Sequence, residues 1–312
     1  MLKTTNHSSP LYSDKLVGLN DNFIFLSKLY NNNNFPRSLL VSGKKGIGKS
    51  TLILHFINYI FAKEKYNFKT NEIDVNSVVY RNIQNKIFQN LIFLNSDDIK
   101  KISIEDIRNL RKTIQKSTLN DLPRFIILDD IELFNTSSIN ALLKIIEEPI
   151  GNNYFILINN NQNKLIETIA SRCLKINIYL KKNDRSKVID YLIKKFNLET
   201  IIDYNNNNIS PGLYLKYNLL SFENKISFDN DYLLNIQKIF NLYKKKKDSI
   251  YVNFLIFMTN DYFYRLTFTQ KDNIEFINTA RIKIIKIINN FAKYNLNVNS
   301  TFNEIQTKFT NV

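Results

Sequence analysis

Residues 43–50 read Gly43-Lys44-Lys45-Gly46-Ile47-Gly48-Lys49-Ser50, the pattern G-x-x-x-x-G-K-S. A short apolar run from Ser38 precedes it, and a stretch with apolar residues at helical spacing, reaching Ile60, follows. A strand that breaks at a glycine turn and restarts as a helix is half of a βαβ unit, which commits the chain to a parallel sheet. Glycines let the turn point its amide N–H groups inward around an anion, and the positive end of the helix adds to that field. On this spacing Gly43, Lys45, Gly46, Ile47, Gly48, Lys49, Ser50 and Thr51 would surround a nucleoside polyphosphate, ATP or ADP. Lys49 would reach the outer phosphates and the Ser50 hydroxyl would face Mg²⁺.

Three further apolar runs, residues 91–94 (LIFL), 125–129 (FIILD) and 154–158 (YFILI), have the continuous character of strands buried on both faces. Helical patterns lie between them. Ser103 opens one whose apolar positions Ile104, Ile107, Leu110 and Ile114 fall on one face, and Pro149 stops another expected over residues 137–147. A phosphate loop of this kind needs a carboxylate at the end of a neighbouring strand to hold the metal, and Asp129 stands there. Asp130 follows in the position of the carboxylate that orients an attacking water. It is one methylene shorter than the usual glutamate, so the residues support nucleotide binding more firmly than turnover.

From about residue 181 the apolar strands give way to longer helical patterns rich in Lys, Ile, Leu and Phe. Asn-rich residues 204–208 read as a loop, Ser210 and Pro211 as a helix start, and Lys244–Asp248 as a break. The chain of 312 residues carries 44% hydrophobic and 23% charged residues, the balance of a folded globular protein. Its single cysteine, Cys173, excludes an internal disulfide framework and a multi-thiolate zinc site, and reads as a packing residue. His7 and His55, the two histidines, have no metal-ligand spacing and read as structural. No signal-peptide core or membrane-spanning run stands out, so a cytoplasmic location is expected. The net charge of +15 fits DNA binding. The abundance of Lys and Asn with scarce Gly, Pro and Trp equally fits codon bias.

From the phosphate loop to Cys173 the sequence resembles the AAA+ module of clamp-loader subunits. Asn140–Pro149 (NALLKIIEEP), FILINN ending at Asn160, and Ser171-Arg172-Cys173, which begins eleven residues after Asn160, carry the likeness. Among these subunits it is most similar to the delta-prime family of bacterial DNA polymerase III clamp loaders, through residues 16–43, 102–114 and 208–217. The resemblance implies an AAA+ α/β P-loop domain with a parallel sheet over residues 1–178. A helical lid over 179–226 and an all-α collar domain over 227–312 would follow. It also implies that Asp129 and Ser50 hold Mg²⁺, that Asn160 senses the γ-phosphate, and that Arg172 acts as an arginine finger on a neighbouring subunit's nucleotide. Implied partners are the gamma/tau and delta subunits in a heteropentamer, with the sliding clamp and primed DNA reached through that complex, and no membrane. An active gamma/tau-like motor and a stand-alone AAA+ DNA-repair ATPase remain as alternatives. Three departures stand out: residues 62–90 lack the four-cysteine zinc module, Asp129-Asp130 replaces Asp-Glu, and Leu213 occupies the place of a lid arginine. Glu147 and Glu148 read as surface or interface residues.

Overall fold

Strand β1 (Ser38–Ser42) is buried along its whole length, and its neighbours explain why. In the computed structural model, which describes residues 9–94, 102–116, 122–205, 207–228, 232–270 and 273–309, β1 lies inside a five-stranded parallel sheet. The sheet also contains β4 (Leu91–Leu94), β5 (Arg124–Leu128), β6 (Asn153–Asn159) and β7 (Leu174–Asn177), in the order β4-β5-β6-β1-β7. Successive side chains of a strand point to opposite faces, and in β1, β5 and β6 both faces are covered. Leu39, Val41, Phe125, Ile127, Ile156 and Ile158 join one core with helices α1 (Asn20–Asn31) and α2 (Lys49–Phe61). Leu40, Ile126, Leu128, Phe155 and Leu157 join another with α4 (Ile104–Ile114) and α5 (Thr136–Glu147). The apolar runs at 125–129 and 154–158 thus correspond to strands sandwiched between helices, whereas the run at 91–94, expected to be buried on both faces, forms the edge strand β4 and is only half-buried.

Local chemistry fixes the helix ends. The Ser103 side chain accepts from the Asp106 N–H while the Asp106 carboxylate accepts from the Ser103 N–H, a capping box at the start of α4. Asn135 caps α5 by accepting from the Ser138 N–H. Ile107, Leu110 and Ile114 of α4 are buried as their spacing predicts. Ile104 is half-buried, and Ile102 just before the helix is buried instead.

Several elements were not anticipated from the sequence, among them strand β7 and a hairpin. Strand β7 pairs with β1 at the sheet edge, Leu39 opposite Leu174, and its residues are largely exposed. Four residues alternating apolar and polar give too weak a pattern to distinguish from a loop. The second is a small antiparallel hairpin, β2 (Tyr66–Asn67) with β3 (Glu72–Ile73), followed by α3 (Val78–Gln84).

The chain forms two compact units. One runs to Asn197 and takes in Ile209–Lys216; the other comprises Leu198–Asn208 and the chain from Tyr217 onward. Helix α6 (Glu167–Ala170) and helix α7 (Lys182–Phe196) belong to the first, and α8 (Pro211–Asn224) begins in it. The second is helical among the described residues: α9 (Tyr232–Lys246), α10 (Ser249–Thr269), α11 (Ile274–Tyr294) and α12 (Val298–Phe309). Its core includes Ile239, Phe240, Phe254, Leu255, Ile284, Phe291 and Ile305. Asp248 caps α10 through the Ile250 N–H, and Lys244 and Lys247 donate to Asn295 at the end of α11. Among the described residues no helix is long and apolar enough to cross a membrane.

Candidate functional site

The sheet order places the carboxyl ends of β5, β6 and β1 side by side, and in open parallel sheets that edge is where ligands bind. The loop leaving β1 turns through Gly46 at φ +80° and Gly48 at φ +98°, a region that side chains with a Cβ avoid. Gly48 caps α2, so the first-turn residues Lys49, Ser50 and Thr51 stand at the loop. Lys49 is 3% exposed, and its ammonium donates to the carbonyls of Gly43 at 2.7 Å and Lys44 at 2.8 Å. Burial pulls its pKa down to about 8 against the opposing pull of Asp129, Glu132 and Asp130.

The end of β5 supplies the carboxylates. Ser50 Oγ donates to Asp129 Oδ2 at 2.7 Å, and Asn160, at the end of β6, donates through Nδ2 to Asp129 Oδ1 at 3.0 Å. Burial raises the Asp129 pKa, opposed by these two donors. Asp130 sits in the left-handed region at φ +55°. It accepts from Asn160 Nδ2 at 2.7 Å and pairs with Lys45 Nζ at 3.1 Å from each carboxylate oxygen. The loop, the two aspartates and the asparagine singled out in the sequence therefore meet at one place. A serine hydroxyl in contact with a buried carboxylate is the donor pair that fits a magnesium ion with a bound phosphate.

These groups line a cavity of about 220 Å³ within the first unit, far above the ~15 Å³ that a single water requires. Away from the phosphate loop its wall mixes apolar side chains, among them Leu16, Val17, Leu19, Val188 and Leu213, with Lys15, Lys195 and Lys216. Leu213, in the place of the expected arginine, thus borders the cavity without offering a charge. Arg172 is not among the lining residues. Its side chain, 39% exposed, donates through Nε to Glu147 and through Nη1 to Thr168 O at 3.0 Å and Ser171 Oγ at 3.3 Å. Glu147 is accordingly a partner of Arg172, and Glu148 is exposed. Cys173 is half-buried, and burial lifts its thiol pKa to about 11, which leaves it protonated at neutral pH.

The sequence profile of the family described as "DNA polymerase III, delta subunit" matches residues 19–182, more than half of the chain. The chain belongs to this family. Relatives of this delta-family chain carry related names. It is 28% identical to the DNA polymerase III subunit delta' of Buchnera aphidicola subsp. Baizongia pistaciae, over 82% of this chain and 79% of that protein. It is 29% identical to the DNA polymerase III subunit gamma of Buchnera aphidicola subsp. Schizaphis graminum, over 70% of this chain and 60% of that one. Among solved structures, a DNA polymerase III gamma subunit-related protein from Thermotoga maritima overlays with a TM-score of 0.46 at 16% identity, covering 91% of this chain and 96% of the other.

Three residues of this delta-family site went unmarked in the sequence. Glu132, in the turn after β5, accepts the Asn160 N–H with both oxygens at 3.1 Å, which fixes the start of the loop after β6. Gly212 donates its N–H to Gly46 O at 2.8 Å, and a Cβ on Gly212 would stand 3.0 Å from Gly46 Cα. Buried Arg185 donates to Ile209 O at 3.2 Å, just ahead of α8. Glu132 lies in the acidic run 129–132, a signal that was present. The other two depend on contacts between segments more than a hundred residues apart or on a buried carbonyl, which no local pattern marks. His55 is buried with Nδ1 3.2 Å from the Tyr66 hydroxyl, and burial lowers its pKa to about 4. His7 lies outside the described residues.

Proposed function

We propose that this chain is the delta-prime subunit of a DNA polymerase III clamp loader. It binds ATP or ADP with Mg²⁺ in its own cavity and presents Arg172 to the nucleotide of an adjacent gamma/tau subunit. One observation carries the reading: the chain has an assembled phosphate loop, yet its candidate finger arginine lies outside that loop's cavity, on an exposed surface held by Glu147. A guanidinium that serves a phosphate must approach it closely, so the target of Arg172 belongs to another chain.

In this reading Lys49 and the loop amides hold the phosphates, Ser50 and Asp129 hold the metal, and Asn160 senses the terminal phosphate. Bound Mg²⁺ offsets the phosphate charge. Asp130 adds little hydrolysis, because Lys45 and Asn160 occupy its oxygens. Residues 1–178 form the nucleotide-binding domain, 179–226 a lid and 227–312 a collar that joins the delta and gamma/tau subunits in a pentamer. The sliding clamp and primed DNA are met through that assembly, in the cytoplasm. Purified chain should co-elute with gamma and delta subunits on size exclusion. Alone it should bind ATP and turn it over no faster than its Lys49→Ala variant. Brisk turnover that Lys49→Ala abolishes would assign the motor role instead, and tight salt-sensitive DNA binding by the chain alone would assign a solitary repair ATPase.

A further inference from the structure

The cavity holds a charge arrangement that the nucleotide-binding role does not require. Lys45 and Lys49 contribute two ammonium groups, and Asp129 and Asp130 two carboxylates, so these four groups balance one another within the chain. The two carboxylates are held differently, and Lys49 donates to the carbonyls of Gly43 and Lys44. Asp129 takes the Ser50 hydroxyl and the Asn160 amide, whereas Asp130 takes Lys45 with both of its oxygens at 3.1 Å. The Asp130 side chain is 6% exposed and that of Lys45 33%, so the carboxylate is fixed in the wall while the ammonium sits at the cavity rim on a long, flexible stem. Asp130 keeps the left-handed backbone that aims it there.

We propose that Lys45 and Asp130 form a latch that weakens triphosphate binding relative to diphosphate at this site, a reading that rests on the cavity being a nucleotide site. Asp130 follows the metal-side Asp129, so the pair sits at the end of the cavity that a terminal phosphate would reach. A γ-phosphate competes with the Asp130 carboxylate for Lys45. Gaining that phosphate contact costs the ion pair and leaves Asp130 held by Asn160 alone among the contacts described above. A diphosphate stops short and leaves the latch shut. The pair thus taxes triphosphate binding, and the tax is removed when Asp130 loses its charge.

The test is equilibrium binding of ATP and of ADP to the full chain, with Mg²⁺ and again in EDTA. The proteins are the unmodified chain, Asp130→Asn, Lys45→Met and the double variant, each first checked for an unchanged thermal unfolding transition. Asp130→Asn should tighten ATP about tenfold in EDTA, the worth of ~1.4 kcal/mol, and leave ADP within about twofold. The gain should vanish when Lys45→Met is added. Unchanged or weaker ATP binding by Asp130→Asn, equal tightening of ADP, or a gain that survives the loss of Lys45 would overturn the latch while leaving the nucleotide site standing. Failure of all four proteins to bind either nucleotide would overturn the site itself and the latch with it. If Asp130→Asn does not fold, Asp130→Ser takes its place with the same expectations.

Discussion

At the scale of single residues, two buried bases make nucleotide binding and stability depend on pH. Lys49, with its pKa near 8, lies below the ordinary value of 10.5 because burial disfavours its charge. A bound polyphosphate favours the charged form. ATP affinity should therefore hold below pH 7 and weaken as the pH rises through 8, approaching about tenfold per unit. Lys49→Arg, which keeps its charge throughout, should flatten the profile in a binding titration; a lysine profile already flat would contradict the assignment. His55 works in the opposite direction on stability. Its folded pKa of about 4 lies below the ordinary 6.5, so the unfolded chain takes up a proton first as the pH falls. The stability His55 contributes is complete above pH 6.5 and is lost between there and pH 4, by about 3 kcal/mol. Chemical denaturation at pH 7 and pH 4.5 should show the loss, and His55→Gln should reduce it.

At the scale of elements, the loop and α8 meet backbone to backbone. A Cβ on Gly212 would lie 3.0 Å from Gly46 Cα and 3.1 Å from Gly46 O. Neither atom can move without displacing the turn proposed to cradle phosphate. Gly212→Ala should therefore weaken ATP binding several-fold while leaving the helical unit intact, readable by calorimetry and circular dichroism. Ser103→Ala, which removes the capping box of α4, should cost ~1 kcal/mol of stability without touching nucleotide affinity. This contrast also shows what the sequence makes legible. The turn at 43–50, the carboxylate at 129, the asparagine at 160 and the strands at 91, 125 and 154 are local patterns, dictated by turn geometry and burial on two faces. Gly212 against Gly46, Glu132 on the Asn160 amide and the Lys45–Asp130 pair exist only once distant segments pack. Strand β7 was hidden for a different reason, since an exposed edge strand needs no apolar run.

At the scale of the whole molecule, part of the excess positive charge has a structural use. Lys15 pairs with Glu72 at 2.8 Å, Lys195 with Asp14, and Lys244 and Lys247 bind Asn295 at the end of α11. A cation at a helix C-terminus is favourable in itself, so Lys244 and Lys247 have a structural role there. Their neutralisation, Lys244→Gln with Lys247→Gln, should lower the unfolding temperature of the chain by a few degrees, for a loss of ~1 kcal/mol. The account's central claim, that the chain works on a neighbour's nucleotide, rests on Arg172. The direct measurement is clamp- and DNA-stimulated ATP hydrolysis by a loader reconstituted with the unmodified chain, with Arg172→Ala and with Arg172→Lys. Both variants should assemble normally and silence the one site that faces residue 172, lowering total turnover by that site's share, because neither offers a planar guanidinium. Undiminished turnover by an assembled Arg172→Ala loader would contradict the account.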